Sequence, residues 1–163
     1  KYLHFYGTYD YVGDSRRWYS HEVRIIRNDK SISAYRDAQG FRKGNIKLNV
    51  KPIDAFVYHY GWVKSPEQML RKQKNVSRFW QEDSDEWKQY METGVYFNFH
   101  DFDSLIKFKD THPEVMKKRV SEKNWDVKID LSKKRFSSKD KFLYWFEKKT
   151  GMRPFSFKNY RVI

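Results

Sequence analysis

The spacing of apolar positions changes period once along this chain, and the change divides it into a strand-forming part and a helix-forming part. Over residues 22–27, Val23 and Ile25 face one way and Arg24 and Ile26 the other, a period of two that predicts a strand. Asn28-Asp29 is a turn signal, and residues 32–35 can return as a short partner strand. Residues 37–44 form a polar loop bounded by glycine. Residues 47–50 alternate again, until Pro52 breaks the pattern. In the next strand Ala55, Val57, His59 and Gly61 alternate with Phe56, Tyr58, Tyr60 and Trp62. Both faces are apolar or aromatic, which predicts cover on both sides. The first fourteen residues are aromatic and irregular, with Gly7 and Gly13 as turn points.

From Ser65 onward the period is helical. Ser65 is an N-cap, Pro66 a pre-set first position and Gln68 the return partner of a capping box, so a helix is expected over 66–80. Met69, Val76 and Trp80 share one face of it, and Lys72 falls on that same face. Ser84 caps a second helix that stops at Gly94, and Asp103 caps a short third over 104–109. Pro113 opens a fourth that ends near Lys123, and residues 125–131 read as a strand or an extended linker. A fifth helix starts at Ser138, with Phe142, Trp145 and Phe146 on its inner face and Gly151 just past its end; residues 153–163 are extended. The expected class is α+β: short antiparallel strands in the first sixty residues, then a mainly helical C-terminal part, all in one domain spanning 1–163.

Composition sharpens this picture in two ways. Aromatic residues make up 19% of the 163 positions, which is a core-forming and not a disordered composition. There is no cysteine, so neither a disulfide framework nor a thiolate zinc site is possible, as suits a reducing compartment. No apolar run approaches the length of a membrane span, and a cytoplasmic protein is expected. The net charge of +13 is uneven. Residues 1–112 carry 19 basic and 15 acidic side chains, and residues 113–163 carry 15 and 6. A basic C-terminal third suits an anionic partner: phosphates, a nucleic acid, or an anionic membrane met peripherally at its inner face. The plain alternative is a solvated surface that aids solubility.

Two polar residues stand where burial is costly. His59 lies in an apolar strand, and Lys72 on the apolar face of the next helix. Each has a bland reading, a hydrogen-bonded core histidine and a lysine that snorkels to water, and a functional one. The stretch that contains them, YHYGWVKSPEQMLRKQK, resembles the C-terminal half of bacterial family 2 glycosyltransferases of the GT-A type. The resemblance continues upstream through YLHFYGTYDYVGDSRRWY, EVRIIRND and DAQGFRKG, and downstream through FKDTHPEVMKKRV and FSFKNYRVI. It covers nearly the whole chain. The nucleotide-binding half of such enzymes, which carries the acidic metal motif, has no counterpart here.

The resemblance implies a set of roles. His59 completes the shell of a divalent cation, Mg or Mn, in the complete enzyme, while none is expected in this chain alone. Asp37 is the first choice for the carboxylate that takes the acceptor's proton, and Glu22 the second. Arg24, Arg27 and Lys72 face the diphosphate or an anionic acceptor. Tyr58 and Trp62, with Tyr60, Trp18 and Tyr19, offer a platform for a sugar ring, although an aromatic strand is also ordinary core. Two Asp-x-Asp patterns, Asp83-Ser84-Asp85 and Asp101-Phe102-Asp103, follow no convincing strand and read as helix caps.

The function this implies is transfer of a sugar from a nucleotide-sugar to a glycan or lipid-linked acceptor, performed with the nucleotide-binding half and not by this chain alone. The alternatives are a basic, aromatic nucleic-acid-binding module and a non-catalytic interaction domain. Against the nucleic-acid alternative, no RNA-recognition, zinc or helix-turn-helix pattern occurs, and the aromatics sit in apolar runs instead of among basic residues, so specific nucleic-acid binding is not expected.

Overall fold

The computed structural model describes residues 1–36, 40–80, 85–94 and 96–163, without the side chains of 77–80, 86, 87, 90 and 91. Asp37, the Asp83-Ser84 pair and the Trp80 side chain therefore lie outside the described residues. The strands are β1 (Tyr2–Gly7), β2 (Tyr11–Gly13), β3 (Ile32–Ala34), β4 (Phe41–Lys43), β5 (Ile46–Lys47), β6 (Asn49–Val50), β7 (Val57–Val63), β8 (Leu105–Lys107) and β9 (Arg161–Val162). The helices are α1 (Pro66–Trp80), α2 (Asp85–Thr93), α3 (Lys117–Ser121) and α4 (Ser138–Thr150), with a 3-10 turn at Glu114–Met116 before α3. The protein is thus mixed α+β.

The chain divides into two compact bodies that interleave in sequence. One comprises residues 1–3, 16–58 and 136–163, the other residues 4–15 and 59–135.

The second body is built on a four-stranded sheet in the order β7-β1-β2-β8. β1 pairs antiparallel with β2 at Phe5↔Val12, and β2 with β8 at Val12↔Ile106. β1 is an inner strand, and its two faces are both covered. Phe5 is fully buried and stacks on Tyr60 at 4.7 Å, while Tyr6 points the other way, among Trp62, Phe99 and Phe102. β7, expected to be covered on both sides, is instead an edge strand whose residues are mostly half-buried. The reason is the order of strands: β1 takes the inner place and with it the fully buried positions. α1 begins as its cap residues dictate, with the Gln68 amide donating to Ser65 Oγ at 3.3 Å, and it buries Met69 and Leu70.

Two expected helices in this body are different. Residues 104–109 are not a helix: Leu105 is buried in β8, whose backbone pairs with Tyr11–Gly13. A strand of three residues is too short for its period to register in the sequence. The expected fourth helix shrinks to the 3-10 turn and the five residues of α3, neither of which buries a side chain. Residues 125–130 form neither helix nor strand, and Val127 and Ile129 cover Gly7. Gly7 sits at φ +73, where a Cβ would come within 3.2 Å of Ile129, and its carbonyl accepts from Trp125 Nε1 at 3.2 Å.

The first body carries an antiparallel meander, β3-β4-β5, and a separate parallel pair, β6-β9, which joins Asn49↔Arg161 and Val50↔Val162. The strand expected over 22–27 is absent. That stretch is irregular, with Val23 its only buried residue and Ile25 exposed. Its alternation is real, but neither isoleucine is buried, and Glu22 turns to Arg24 two residues on. In α4 Ser137 is the N-cap and Gly151, at φ +70, the C-cap. The inward face differs from the one expected. Leu143 is buried and Phe146 half-buried, whereas Phe142 and Trp145 are 60% and 54% exposed.

The C-terminal segment is locked to β4 and to Gly40 just before it. Arg42, itself buried, donates to both the Oδ1 and the backbone carbonyl of Asn159 and stacks over Tyr35 at 4.6 Å. Gly40 makes the approach possible. Its φ is +139, and a Cβ there would lie 2.9 Å from Asn159 Nδ2. Gly40→Ala is therefore expected to lower stability by about 1–3 kcal/mol, because it combines a disfavoured backbone conformation with a clash. Urea unfolding followed by circular dichroism checks this; an unchanged midpoint would mean that the segment docks in some other way.

Candidate functional site

The first body contains an open groove of about 1730 Å³. One wall is the irregular stretch after residue 19, held to β1 by the Tyr2 amide, which donates to the Ser20 carbonyl at 2.9 Å. A second wall is the inner face of α4, through Leu143, Phe146 and Glu147, and the segment that follows it contributes Arg153 and Pro154. The strand β6 and the turn after it provide Val50 and Pro52. Polyvalent positive charge characterises the lining: nine basic side chains against three acidic ones.

The acids are all engaged. Glu147 accepts from Arg16 Nη1 at 2.9 Å and lies 3.6 Å from Arg153 Nε. Arg16 also donates to the Pro154 carbonyl, and Arg153 to that of Trp18 at 2.7 Å. Burial pulls the Arg153 guanidinium below its ordinary range, with the Glu147 charge opposing. Glu22 pairs with Arg24, whose Nε donates to the Tyr2 hydroxyl. Arg24 lies over the Tyr2 ring at 5.5 Å, and Tyr2 meets Tyr19 edge-on at 4.9 Å. Burial raises the pKa of both tyrosines, so both remain neutral donors near neutral pH. Asp140 is engaged by the cap, with Ser137 Oγ donating to it at 2.5 Å. Arg27, Lys51 and Lys158 add further positive charge to the lining. The groove is a net cationic surface with a tyrosine-lined patch.

The residues that the sequence singles out divide into two groups. Glu22, Arg24, Arg27 and Tyr19 line the groove, and Asp37 lies outside the described residues. His59, Lys72, Tyr60 and Trp62 belong to the second body. Trp62 packs against Tyr6 and Phe97 there, and Tyr58, half-buried, is the last residue of the first body before the chain crosses. Lys72 donates to the Gly61 carbonyl at 2.7 Å and lies 5.4 Å above the Trp62 ring, so that it covers a backbone group on the edge strand. Burial lowers its pKa, and Lys64 adds to the effect.

His59 meets His4 across the sheet, Nδ1 to Nδ1 at 3.1 Å. That contact requires one of the two nitrogens to lack a proton. His4 is buried and thereby fixes the orientation of the His59 ring, as an outer hydrogen-bond partner does for a metal-ligating histidine. Among the described residues no three His, Asp or Glu side chains converge as a cation site. Of Asp101 and Asp103, the latter accepts from Ser15 Oγ at 3.3 Å and caps no helix.

Sequence reasoning missed Arg16, Arg153 and Glu147 because Arg16 lies more than 130 positions from the other two and only the fold brings them together. The only local hint was Glu147 in the lysine-rich second half of α4. The chain matches no protein-family model, no curated protein and no solved structure.

Two outcomes are expected. Glu147→Gln leaves two largely covered guanidiniums without their countercharge, and should lower stability by about 2–3 kcal/mol in urea unfolding. An unchanged midpoint would show that water solvates both cations. The second concerns His112, whose Nδ1 lies 2.8 Å from the Tyr60 hydroxyl, among Phe5, Tyr9 and Phe108. Burial lowers its pKa, against weaker opposing effects from the Tyr9 backbone and Asp10. The unfolded chain therefore takes the proton first. The stabilisation is complete above about pH 6.5 and is lost as pH falls through the lower folded value. The stability difference between the wild type and His112→Gln should accordingly shrink as the pH falls from 7.5 to about 5. A difference independent of pH would remove the burial argument.

Proposed function

We propose that this chain is the acceptor-side portion of a family 2 glycosyltransferase of the GT-A type, and that it transfers a sugar from a nucleotide-sugar to an anionic glycan or lipid-linked acceptor. The donor is held by a nucleotide-binding half of the kind the resemblance implies. The observation that carries this reading is the groove of the first body. Three residues singled out from the sequence for this chemistry, Glu22, Arg24 and Arg27, line one cationic, tyrosine-lined groove.

In the reaction an acceptor hydroxyl attacks the anomeric carbon of the donor, the bond to the nucleoside diphosphate breaks, and the hydroxyl proton passes to a base. Glu22 is the described carboxylate placed to receive it, and Asp37 is the other candidate. The Arg24 guanidinium pairs with Glu22, and Tyr2 accepts a hydrogen bond from Arg24 and orients it in turn. Arg27 and the exposed part of Arg24 bind the acceptor's anionic group, while Tyr19 offers a ring face to its sugar. In this reading Lys72, Tyr58 and Trp62 support the strand–helix unit around His59. A divalent cation, Mg or Mn, would neutralise the leaving diphosphate. His59 fits as one ligand to it, with its ring held by His4, and this chain's described residues supply no further ligands. Tyr60 and Trp62, packed against Phe5 and Tyr6, are not arranged as a stacking platform, and so the nucleic-acid reading has less support.

The test uses the chain joined to its nucleotide-binding half. Arg24→Ala with Arg27→Ala should raise the acceptor KM by roughly tenfold with little change in donor KM. Glu22→Gln should lower kcat by about a hundredfold if Glu22 is the base. His59→Ala should abolish transfer with the melting temperature nearly unchanged, while the chain without its partner half should turn over no donor. Wild-type kinetics in both groove variants, or donor turnover by this chain alone, would overturn the proposal.

A further inference from the structure

α4 presents to water a face that the groove does not use. Leu143, Phe146 and Glu147 look inward, which leaves Phe142 and Trp145, one turn apart with ring centroids 5.9 Å from each other, on the outer surface. Large aromatic side chains this exposed on a short helix form a contiguous apolar patch of the kind that marks a contact surface.

The charges around the patch decide its occupant. α4 carries four lysines, Lys139, Lys141, Lys148 and Lys149, all exposed. It carries two acids, and neither belongs to this face. Glu147 is turned in to Arg16 and Arg153, and Asp140 is taken up by the Ser137 cap. By helical spacing Lys149 lies between Phe142 and Trp145 on the wheel, with Lys141 and Lys148 along one flank. Lys148 extends over the Tyr144 ring at 5.2 Å, so its stem lies along the surface and not straight out from it. Aromatic rings flanked by one sign of charge, with long lysine stems that can keep ammonium groups at a wet boundary, are the features of a helix that lies in a membrane interface. No described helix is long and apolar enough to cross a membrane, so the contact is with one leaflet. Two copies of this face would bring lysines against lysines, which disfavours self-association through it.

We infer that α4 is an interfacial docking helix: it lays Phe142 and Trp145 into the headgroup boundary of an anionic lipid leaflet, while its lysines engage the lipid phosphates. The inference does not depend on the glycosyltransferase reading, because it uses only the outer face of α4 and none of the groove residues.

Sedimentation of the chain with vesicles of phosphatidylcholine alone, and of phosphatidylcholine mixed equally with phosphatidylglycerol, tests it at low and physiological salt. Binding is expected for the mixed vesicles only. Lys141→Gln, Lys148→Gln and Lys149→Gln combined should weaken it roughly a hundredfold at low salt, since each basic residue at the surface contributes several-fold. Phe142→Ser with Trp145→Ser should weaken it by about tenfold at both salts, because the apolar contribution is not screened. A readout of insertion accompanies these. Lipids brominated along the acyl chain should quench wild-type tryptophan fluorescence, and Trp145→Phe should remove most of that quenching. Circular dichroism melting shows whether the variants fold, and the quenching of the wild type stands without them. Absence of binding to mixed vesicles would overturn the inference. So would binding with no quenching, or equal binding to mixed-sequence RNA. Self-association lost in the aromatic variant would assign the face to a second copy, and capture by an acidic protein without vesicle binding would assign it to a soluble partner; either result overturns the lipid assignment.

Discussion

Glu147 has a guanidinium on each side of it, and much of the first body follows from that arrangement. A glutamate on a lysine-rich helix would ordinarily face water. Here it turns inward because Arg16 and Arg153, both largely covered and both donating to backbone carbonyls, need a countercharge more than the helix needs another inward apolar residue. Fixing Glu147 fixes the rotation of α4. Residues one turn or less from it, Leu143 and Phe146, become the groove wall, and those on the far side, Phe142 and Trp145, become surface. A groove that is cationic on the inside and a helix that is aromatic on the outside are thus two results of one ion triad.

The second body rests on a different principle. Its sheet is held by rings: Phe5 on one face of β1 and Tyr6 on the other, each with aromatic neighbours on β7 and on the segments that bracket β8. Polar atoms in this core are accommodated at the ring edges, as in the Tyr60–His112 and His4–His59 contacts. The histidines are consequently part of the packing as well as candidates for chemistry, and His59 has both roles open to it. Neighbouring imidazoles hold each other's ring orientation and tautomer.

What could be read from the sequence follows how local each determinant is. α1 and its Ser65 cap, the helix that ends at Gly151, and the short strand after the turn at Asn28-Asp29 were legible because their signals lie within a few residues of one another. The edge position of β7, the strand at Leu105–Lys107 and the irregular course of residues 22–27 were not, since each depends on which partner is present across the sheet or missing from it. The rotation of α4 was misread for the same reason. Hydrophobicity alone ranks Phe142 and Trp145 above Glu147 for burial, and only Arg16, far away in sequence, reverses the order. Of the candidate site, Glu22, Arg24 and Arg27 were found through local pattern and resemblance. The arginines that complete the cationic lining were invisible, because pairing across more than a hundred residues leaves no periodic trace.

The parallel ladder of β6 with β9 closes a loop of more than a hundred residues, and the groove-bearing body is made of three segments, of which the last begins at residue 136. The other body needs nothing beyond residue 135. As the chain leaves the ribosome, the aromatic sheet can therefore assemble while residues 16–58 still wait for α4, for Asn159 and for the strand that completes β6. Contacts this distant are slow to form, and until they do Val23 and the inner side of the future groove lie open to solvent. The order of synthesis thus makes the cationic cleft the last part of the molecule to mature, and makes the interval before β9 emerges the period in which the nascent protein is most exposed to misassembly.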